Sequence, residues 1–407
     1  MNKKRFHIKG LSSAASSLIA ILVGLFAGFL ILLISNPSKS LEGLWTILQG
    51  GFNNGFKGMG QVLYYATPII VTGLSVGFAF KTGLFNIGAP GQLMVGAFVS
   101  VLVGVTCPQL GAFHWVVALL CGMAAGALWG MVPGLFKALL NVNEVISSIM
   151  MNYIGLYGIN YLIKNLMNPE GGYLIYDKLK NQTMNVAESA ALPKWGLDQV
   201  FYNLKGSYMD VSSVNAGIFI AILLAIIIYI VLNKTTFGYE LKACGYNKEA
   251  GNYAGVNGTR TVVLSMVIAG ALSGAAGALM YLAPPNGMHI HVEEILSAQG
   301  FNGIPVALLG LSNPIGIIFS GLFVSYITVG GSYLQSLKYM REIIDIIIGI
   351  IIYFSAFSLF VKNLLARAHL RKASSGLDAE EEAPPAPAPL TAPQDASLNN
   401  SAKGENN

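Results

Sequence analysis

The run from Ala216 to Leu232, AGIFIAILLAIIIYIVL, contains no charged residue, and a second charge-free run extends from Thr261 to Ala283. A helix needs about 20 mostly apolar residues to cross the hydrocarbon core of a bilayer. The whole chain is 54% hydrophobic and 11% charged, where soluble domains carry about 25% charged residues. Too little polar surface remains to dissolve a particle of this size. In lipid the backbone must bond within its own helix, so these runs predict an all-α integral membrane protein.

The same ruler gives about ten transmembrane helices: 17–35, 61–80, 91–108, 114–137, 144–164, 215–233, 261–283, 298–311, 314–331 and 342–361. The eighth, containing GFNGIPVALLG, is short and interrupted by Gly and Pro, which predicts a broken or tilted segment. Lys3, Lys4, Arg5 and Lys9 precede the first run, which has no small-x-small cleavage site before Asn36-Pro37. It therefore reads as an uncleaved helix with a cytoplasmic tail, residues 1–16. Lys234, Lys242, Lys248, Arg260, Lys362, Arg367, Arg371 and Lys372 then fall on the same side and put the C-terminus in the cytoplasm as well. Lys338 and Arg341 fall on the other side and are outvoted.

The loop 165–214 lies outside in this topology. Its four lysines and five acids set no direction, and its Tyr, Trp and polar residues suit either a cap on the membrane face or a solvated spacer. Residues 362–407 begin basic and continue as AEEEAPPAPAPLTAP, an acidic Pro/Ala-rich stretch without apolar periodicity. Such a composition predicts a disordered tail. Gly122, Gly126, Gly130 and Gly134 line one face of the fourth span, and Gly270, Gly274 and Ala278 one face of the seventh. Small residues at this spacing let helix backbones approach closely, within the fold or between subunits.

Several chemistries are absent. No GxxxxGK[ST] occurs, so the chain carries no phosphate-cradling loop, and neither HExxH nor GxSxG occurs. Cys107, Cys121 and Cys244 form no CxxC pair and read as small buried hydrophobes. His289 and His291 sit in PPNGMHIHVEE, where alternation places both imidazoles on one side; a solvated turn accounts for the pattern without a metal. The net charge of +5 is spread thinly, with no basic stripe interleaved with aromatics, which excludes a nucleic-acid partner. Intramembrane charge is nearly confined to Glu144 and to Asp345, which stands four residues after Arg341 and pairs with it locally in the plain reading. That scarcity argues against a carrier driven by protons or sodium. A passive channel is disfavoured because no selectivity sequence stands out.

Uncharged polar groups at membrane depth are more informative. Asn86 and Gln92 flank the turn GLFNIGAPGQ, Asn152 lies in EVISSIMMNYIGLY, and Asn302 follows Phe301 in the interrupted span. Amides beside aromatic rings suit a neutral polar ligand, and interhelical hydrogen bonding is the structural alternative for each one. As a set they predict a solute pathway. On the cytoplasmic side Asn233 to Arg260, NKTTFGYELKACGYNKEAGNYAGVNGTR, is a polar island between two spans. It reads as short helical pieces broken at Gly245 and Gly251, with Asn247 capping a turn through Lys248, Glu249 and Ala250, and with Gly255 and Gly258 ending it. A solvated loop needs no such punctuation, whereas docking on a soluble partner does.

The island, with ACGYNKEAGNYAGVNGTRT and the following SMVIAGALSGAAGAL, resembles the coupling segment of ABC importer permeases of the branched-chain amino acid/ribose type. GLSVGFAFKTGLFNIGAPGQLMVGAF, NEVISSIMMNYI and GFNGIPVALLG carry the resemblance further, toward the nucleoside or simple-sugar permeases, over about residues 15–365. Pro90 stands where that group has an acidic residue, Asn302 where it has Asp, and Pro305 where it has Ala. The resemblance implies a type II ABC importer-like fold of ten helices in a bacterial cytoplasmic membrane. It implies a second permease, identical or related, an extracellular substrate-binding lipoprotein, and ABC ATPase subunits that bind ATP and magnesium, leaving this chain without a cofactor. Glu240, Lys242, Gly245, Asn247, Lys248, Glu249, Ala250 and Gly255 are the expected ATPase contacts. Asn86, Gln92, Asn152, Phe301 and Asn302 are the expected solute path.

Overall fold

The computed structural model describes residues 2–166, 174–205, 208–285, 287–357 and 360. In chain order it forms α1 (Asn2–Ser35), α2 (Ser40–Gln49), α3 (Gly55–Lys81), α4 (Ala89–Thr106), α5 (His114–Leu140) and α6 (Glu144–Asn165). There follow β1 (Tyr176–Asp177), β2 (Gln182–Thr183), α7 (Leu197–Val200), β3 (Tyr202–Lys205) and β4 (Tyr208–Val211). The chain continues with α8 (Gly217–Lys234), α9 (Thr236–Tyr246), α10 (Lys248–Tyr253), α11 (Gly258–Tyr281), α12 (Ala298–Leu309), α13 (Pro314–Ser332) and α14 (Arg341–Ala356). Among the described residues each of the ten apolar segments overlaps a helix. Among the described residues, seven helical stretches are long and apolar enough to cross a membrane. The 12-residue α12 rises only about 18 Å at 1.5 Å per residue, short of a core about 30 Å thick.

α5 and α11 pack along their glycine stripes. A Cβ on Gly126 would enter the shell of the Gly270 carbonyl, one on Gly274 that of the Gly122 carbonyl, and one on Gly130 would lie 2.5 Å from the Met266 carbonyl oxygen. Backbones this close leave no room for side chains, so the stripes are contacts within the fold. α4 joins the same layer, because Gly96 faces Gly274 and Gly277 faces Leu93. The main core is built around α3, α4, α8 and α11, with Ile70, Leu74, Phe78, Leu93 and Leu272 buried in it. A second core joins α1, α2, α13 and α14 through Leu32, Ile47, Ile327 and Ile347.

Three local features differ from the sequence expectation. α1 is continuous from Asn2, so residues 2–16 are helical and run directly into the first span. α2 occupies a stretch to which no span was assigned, because ten residues are too few to register as a crossing. The 165–214 loop, where described, is a folded cap. Thr183 and Val186 donate backbone N–H groups to Ile290 and Met288, Ala187 to Gly104, and Leu192 to Leu282. Lys57 pairs with Asp210 at 2.5 Å, and the buried His114 ring bonds Ser189 Oγ and the Val103 carbonyl at 2.8 and 2.9 Å. These bonds decide for the cap over the spacer. The expected disordered tail and the side chain of Arg341, hence its pairing with Asp345, lie outside the described residues.

Candidate functional site

The site begins at the end of the helix layer opposite the cap. α8 stops at Lys234, and the Thr235 hydroxyl accepts the Gly238 N–H at 3.1 Å, starting α9. Asn247 Oδ1 then accepts the Ala250 N–H at 3.0 Å and starts α10. This is the expected cap, placed over Lys248, Glu249 and Ala250. The glycine breaks are different. Gly245 lies inside α9 and Gly251 is buried inside α10, so the single break falls at Asn247. There the Asn side chain replaces the helix carbonyl as acceptor, which a glycine cannot do. Gly255, at φ +84°, does end the segment, while Gly258 starts α11 instead of ending anything.

Leu241 and Cys244 bury one face of α9. The other face and α10 stay open: Asn247, Lys248, Glu249, Ala250 and Gly255 are exposed, Glu240 and Lys242 are partly so, and Tyr246 and Tyr253 are 93% and 95% exposed. A groove of about 450 Å³ opens beside them, bordered by Phe80, Asn233, Lys242, Gly245, Tyr246 and Asn313. Lys242 Nζ donates to Asn233 Oδ1 across its wall at 2.9 Å.

Gly245 explains how this surface is tied to the interior. It rests on the last carbonyl of α3, that of Lys81, and on the amide of Gly83. Gly83, at φ +74°, turns the chain toward α4, and three residues on comes Asn86. Asn86 and Gln92 exchange amide hydrogen bonds at 2.9 and 3.1 Å. Asn86 Nδ2 also reaches Ser75 Oγ at 3.2 Å, Ser273 Oγ donates to Ser75 at 2.8 Å, and Ser75 donates to the Ala269 carbonyl at 2.6 Å. Asn152 accepts the Gly91 N–H at 2.9 Å and donates to the Ile87 carbonyl at 3.0 Å. The three amides are therefore brought together, fully buried, with their polar atoms turned on each other and on the 86–92 turn. Ser75, Ser273 and Gly83 belong to this network but were not singled out by sequence. A hydroxyl within an apolar helix is common, and only its partners reveal it.

Phe301 and Asn302 lie apart from the amides and retain accessible surface. α12 nevertheless meets the same turn, because Gly300 packs on Pro90, where a Cβ would lie 2.5 Å from the proline Cα and 2.9 Å from its Cβ and Cγ. Pro90, one of the three departures from the resembled pattern, thus lies against α12, the element that carries the other two, Asn302 and Pro305. Pro90 sits in the first turn of α4, where its missing N–H costs nothing. Pro305 sits inside α12 and cannot donate to the Phe301 carbonyl. The other intramembrane candidate, Glu144, is neutralised by Lys137 at 3.0 Å. Among the described residues no group of three or more His, Cys, Asp or Glu could hold a metal.

Residues 58–356 match the family model described as the permease component of branched-chain amino acid transport systems. The chain is 37% identical to the guanosine ABC transporter permease protein NupP of Bacillus subtilis, over 88% of this chain and 98% of that one. It is 34% identical to the nucleoside ABC transporter permease protein NupB of Lactococcus lactis, over 88% and 94%. It is 30% identical to the glucose ABC transporter permease protein TsgB13 of Haloferax volcanii, over 75% and 78%. No solved structure matches. A match covering most of the helical layer, together with relatives aligned nearly end to end, places the chain in one family: it belongs to the permease components of the branched-chain amino acid transport type.

Proposed function

We propose that this chain is the transmembrane permease subunit of an ATP-driven nucleoside importer. Alignment over 88% of the chain with relatives named for guanosine and nucleoside transport carries the substrate class. The exposed α9–α10 surface, docked through Gly245 on the turn that leads to Asn86, supports the coupling role. ATP and magnesium are bound and hydrolysed on partner ABC ATPase subunits that grip Glu240 to Gly255. Two permeases, this one and an identical or related second, face each other in a bacterial cytoplasmic membrane, and an extracellular lipoprotein delivers the solute. Ten helices cross the bilayer with both termini and the island in the cytoplasm, in a type II importer-like arrangement, and the cap faces outward.

Transport proceeds by alternating access. Closure of the ATPases moves α9, and α9 moves the 82–88 turn because Gly245 leaves no slack between them. The amide network ties that turn to α3, α4, α6 and α11, so these elements shift together. Asn86, Gln92 and Asn152 hold this hinge of the pathway, and Phe301 and Asn302 touch the solute.

The test is ATP-dependent uptake of radiolabelled guanosine by proteoliposomes holding the full transporter and its lipoprotein. The 30% identity with a glucose permease favours a second reading, a simple-sugar permease, and uptake of glucose or ribose without nucleosides would select it. Uptake by this chain without any ATPase would instead make it an ion-coupled secondary transporter.

A further inference from the structure

A second cavity, of about 110 Å³, lies at the cap end of the helix layer, between α3, α11 and α12. Its walls are Tyr64, Tyr65 and Pro68 of α3 and Met280 and Tyr281 of α11, with Gln299 of α12 at its rim. None of these residues belongs to the amide network. A site that encloses a whole small molecule takes about 300–1,000 Å³, so this cavity accepts a flat part of one.

The walls and rim specify which part. Tyr64 and Tyr65 meet edge to face, with ring centroids 5.4 Å apart at 80°, which fixes two ring planes. Tyr64 Oη reaches the Ala283 carbonyl at 3.4 Å, holding its ring against the end of α11. Thr72 Oγ1 donates to the Gln299 carbonyl at 3.1 Å and pins the start of α12 to α3. Ser297 Oγ donates to Gln299 Oε1 at 2.9 Å, which orients the amide. Gln299 lines the cavity, and its Nε2 has no hydrogen-bond partner among the described residues. A free hexose needs partners for several hydroxyls. A nucleobase needs ring faces to stack on and a donor for an edge carbonyl or ring nitrogen.

We propose that this cavity is the station that receives the nucleobase when the solute leaves the lipoprotein. The proposal rests on the nucleoside reading above. The tyrosine rings stack on the base, and Gln299 Nε2 donates to an acceptor on its edge. The ribose is left outside, toward Asn302, which lies one helical turn beyond Gln299 on the same face of α12. Because the amide is uncharged and fixed, it discriminates bases by their edge acceptors and holds no phosphate.

The experiment uses the complete transporter in proteoliposomes, with guanosine, cytidine and ribose offered on saturating lipoprotein. Recovery of the assembled complex controls for folding. Tyr65→Leu and Tyr281→Leu should each slow nucleoside uptake about tenfold, the scale of one lost aromatic–base stack. Tyr65→Phe and Tyr281→Phe should recover most of that loss. Gln299→Leu should change the guanosine-to-cytidine rate ratio at least about fivefold, a shift that a merely structural role would not produce. Wild-type rates and ratios in the assembled Leu variants overturn the proposal, as does failure of Phe to rescue. A wild-type transporter that carries ribose but no nucleoside removes the functional reading itself, before any variant is compared.

Discussion

Gly245 of α9 and Gly83 of the turn after α3 meet backbone to backbone: a Cβ on Gly83 would lie 3.3 Å from the Gly245 carbonyl oxygen, and one on Gly245 would lie 3.1 Å from the Gly83 amide nitrogen. This contact joins the exposed island to the buried amides without a flexible side chain between them. A side chain at either position would act as a spacer.

Gly245→Val should therefore cut ATP-driven uptake at least about tenfold, since overpacking of a tight contact costs about 1–3 kcal/mol. ATP hydrolysis by the complex should fall less than uptake does. Equal falls in the two rates would show that the contact does not transmit the stroke.

Glu249 is exposed in the first turn of α10, where a carboxylate also favours the helix N-terminus. Glu249→Arg should abolish transport while the protein still inserts and accumulates. Uptake at the wild-type rate, scored beside an immunoblot of the membrane fraction, would remove the island from the coupling role.

Asn152 serves the Gly91 N–H and the Ile87 carbonyl together. Asn152→Leu leaves both buried groups unpaired, at a cost of about 1–3 kcal/mol. Thermal unfolding in detergent should shift down by several degrees, with the 82–92 turn losing amide-exchange protection first. An unchanged melting point and unchanged protection would mean that water replaces the side chain.

Gly126 and Gly274 let α5 and α11 touch. Gly126→Leu cannot be absorbed, because the obstacle is backbone on both sides. The expected result is loss of folded protein from the membrane fraction, while Gly158→Leu, with open space at its Cβ, should accumulate normally. Equal yields would contradict the packing.

His289, in the segment after α11 to which the cap is bonded, contacts His291, their Nε2 atoms 3.2 Å apart. Burial first, then His291 and Lys180, lowers its pKa below the ordinary 6.5. The unfolded state therefore binds more protons as the pH drops, so the stability of the cap is full above about pH 6.5 and declines below it. Protection factors in residues 182–192, that is, exchange corrected for its intrinsic slowing at lower pH, should fall between pH 7 and 5, and His289→Gln should flatten that dependence. Parallel profiles for the two proteins would assign the effect elsewhere.

The sequence by itself determined where the long apolar helices lie. Apolar runs specify membrane helices because lipid leaves the backbone no other partner, and each expected span overlaps a helix among the described residues. It also determined the Asn247 cap, because capping is a local bond three residues long, and the presence of tight helix contacts, because glycines four apart share a face. Only the tertiary structure decided what those faces and amides meet. The same Gly-x-x-x pattern serves a fold contact or a subunit contact, and the Gly126–Gly270 approach chose the first. Asn86, Gln92 and Asn152 looked alike as pathway candidates, yet Asn86 and Gln92 bond each other while Asn152 bonds the backbone of Ile87 and Gly91, more than 60 residues away in sequence. Gly245 read as a helix break and is a helix contact, because its missing side chain is used by Lys81 and Gly83, which lie far away in the chain.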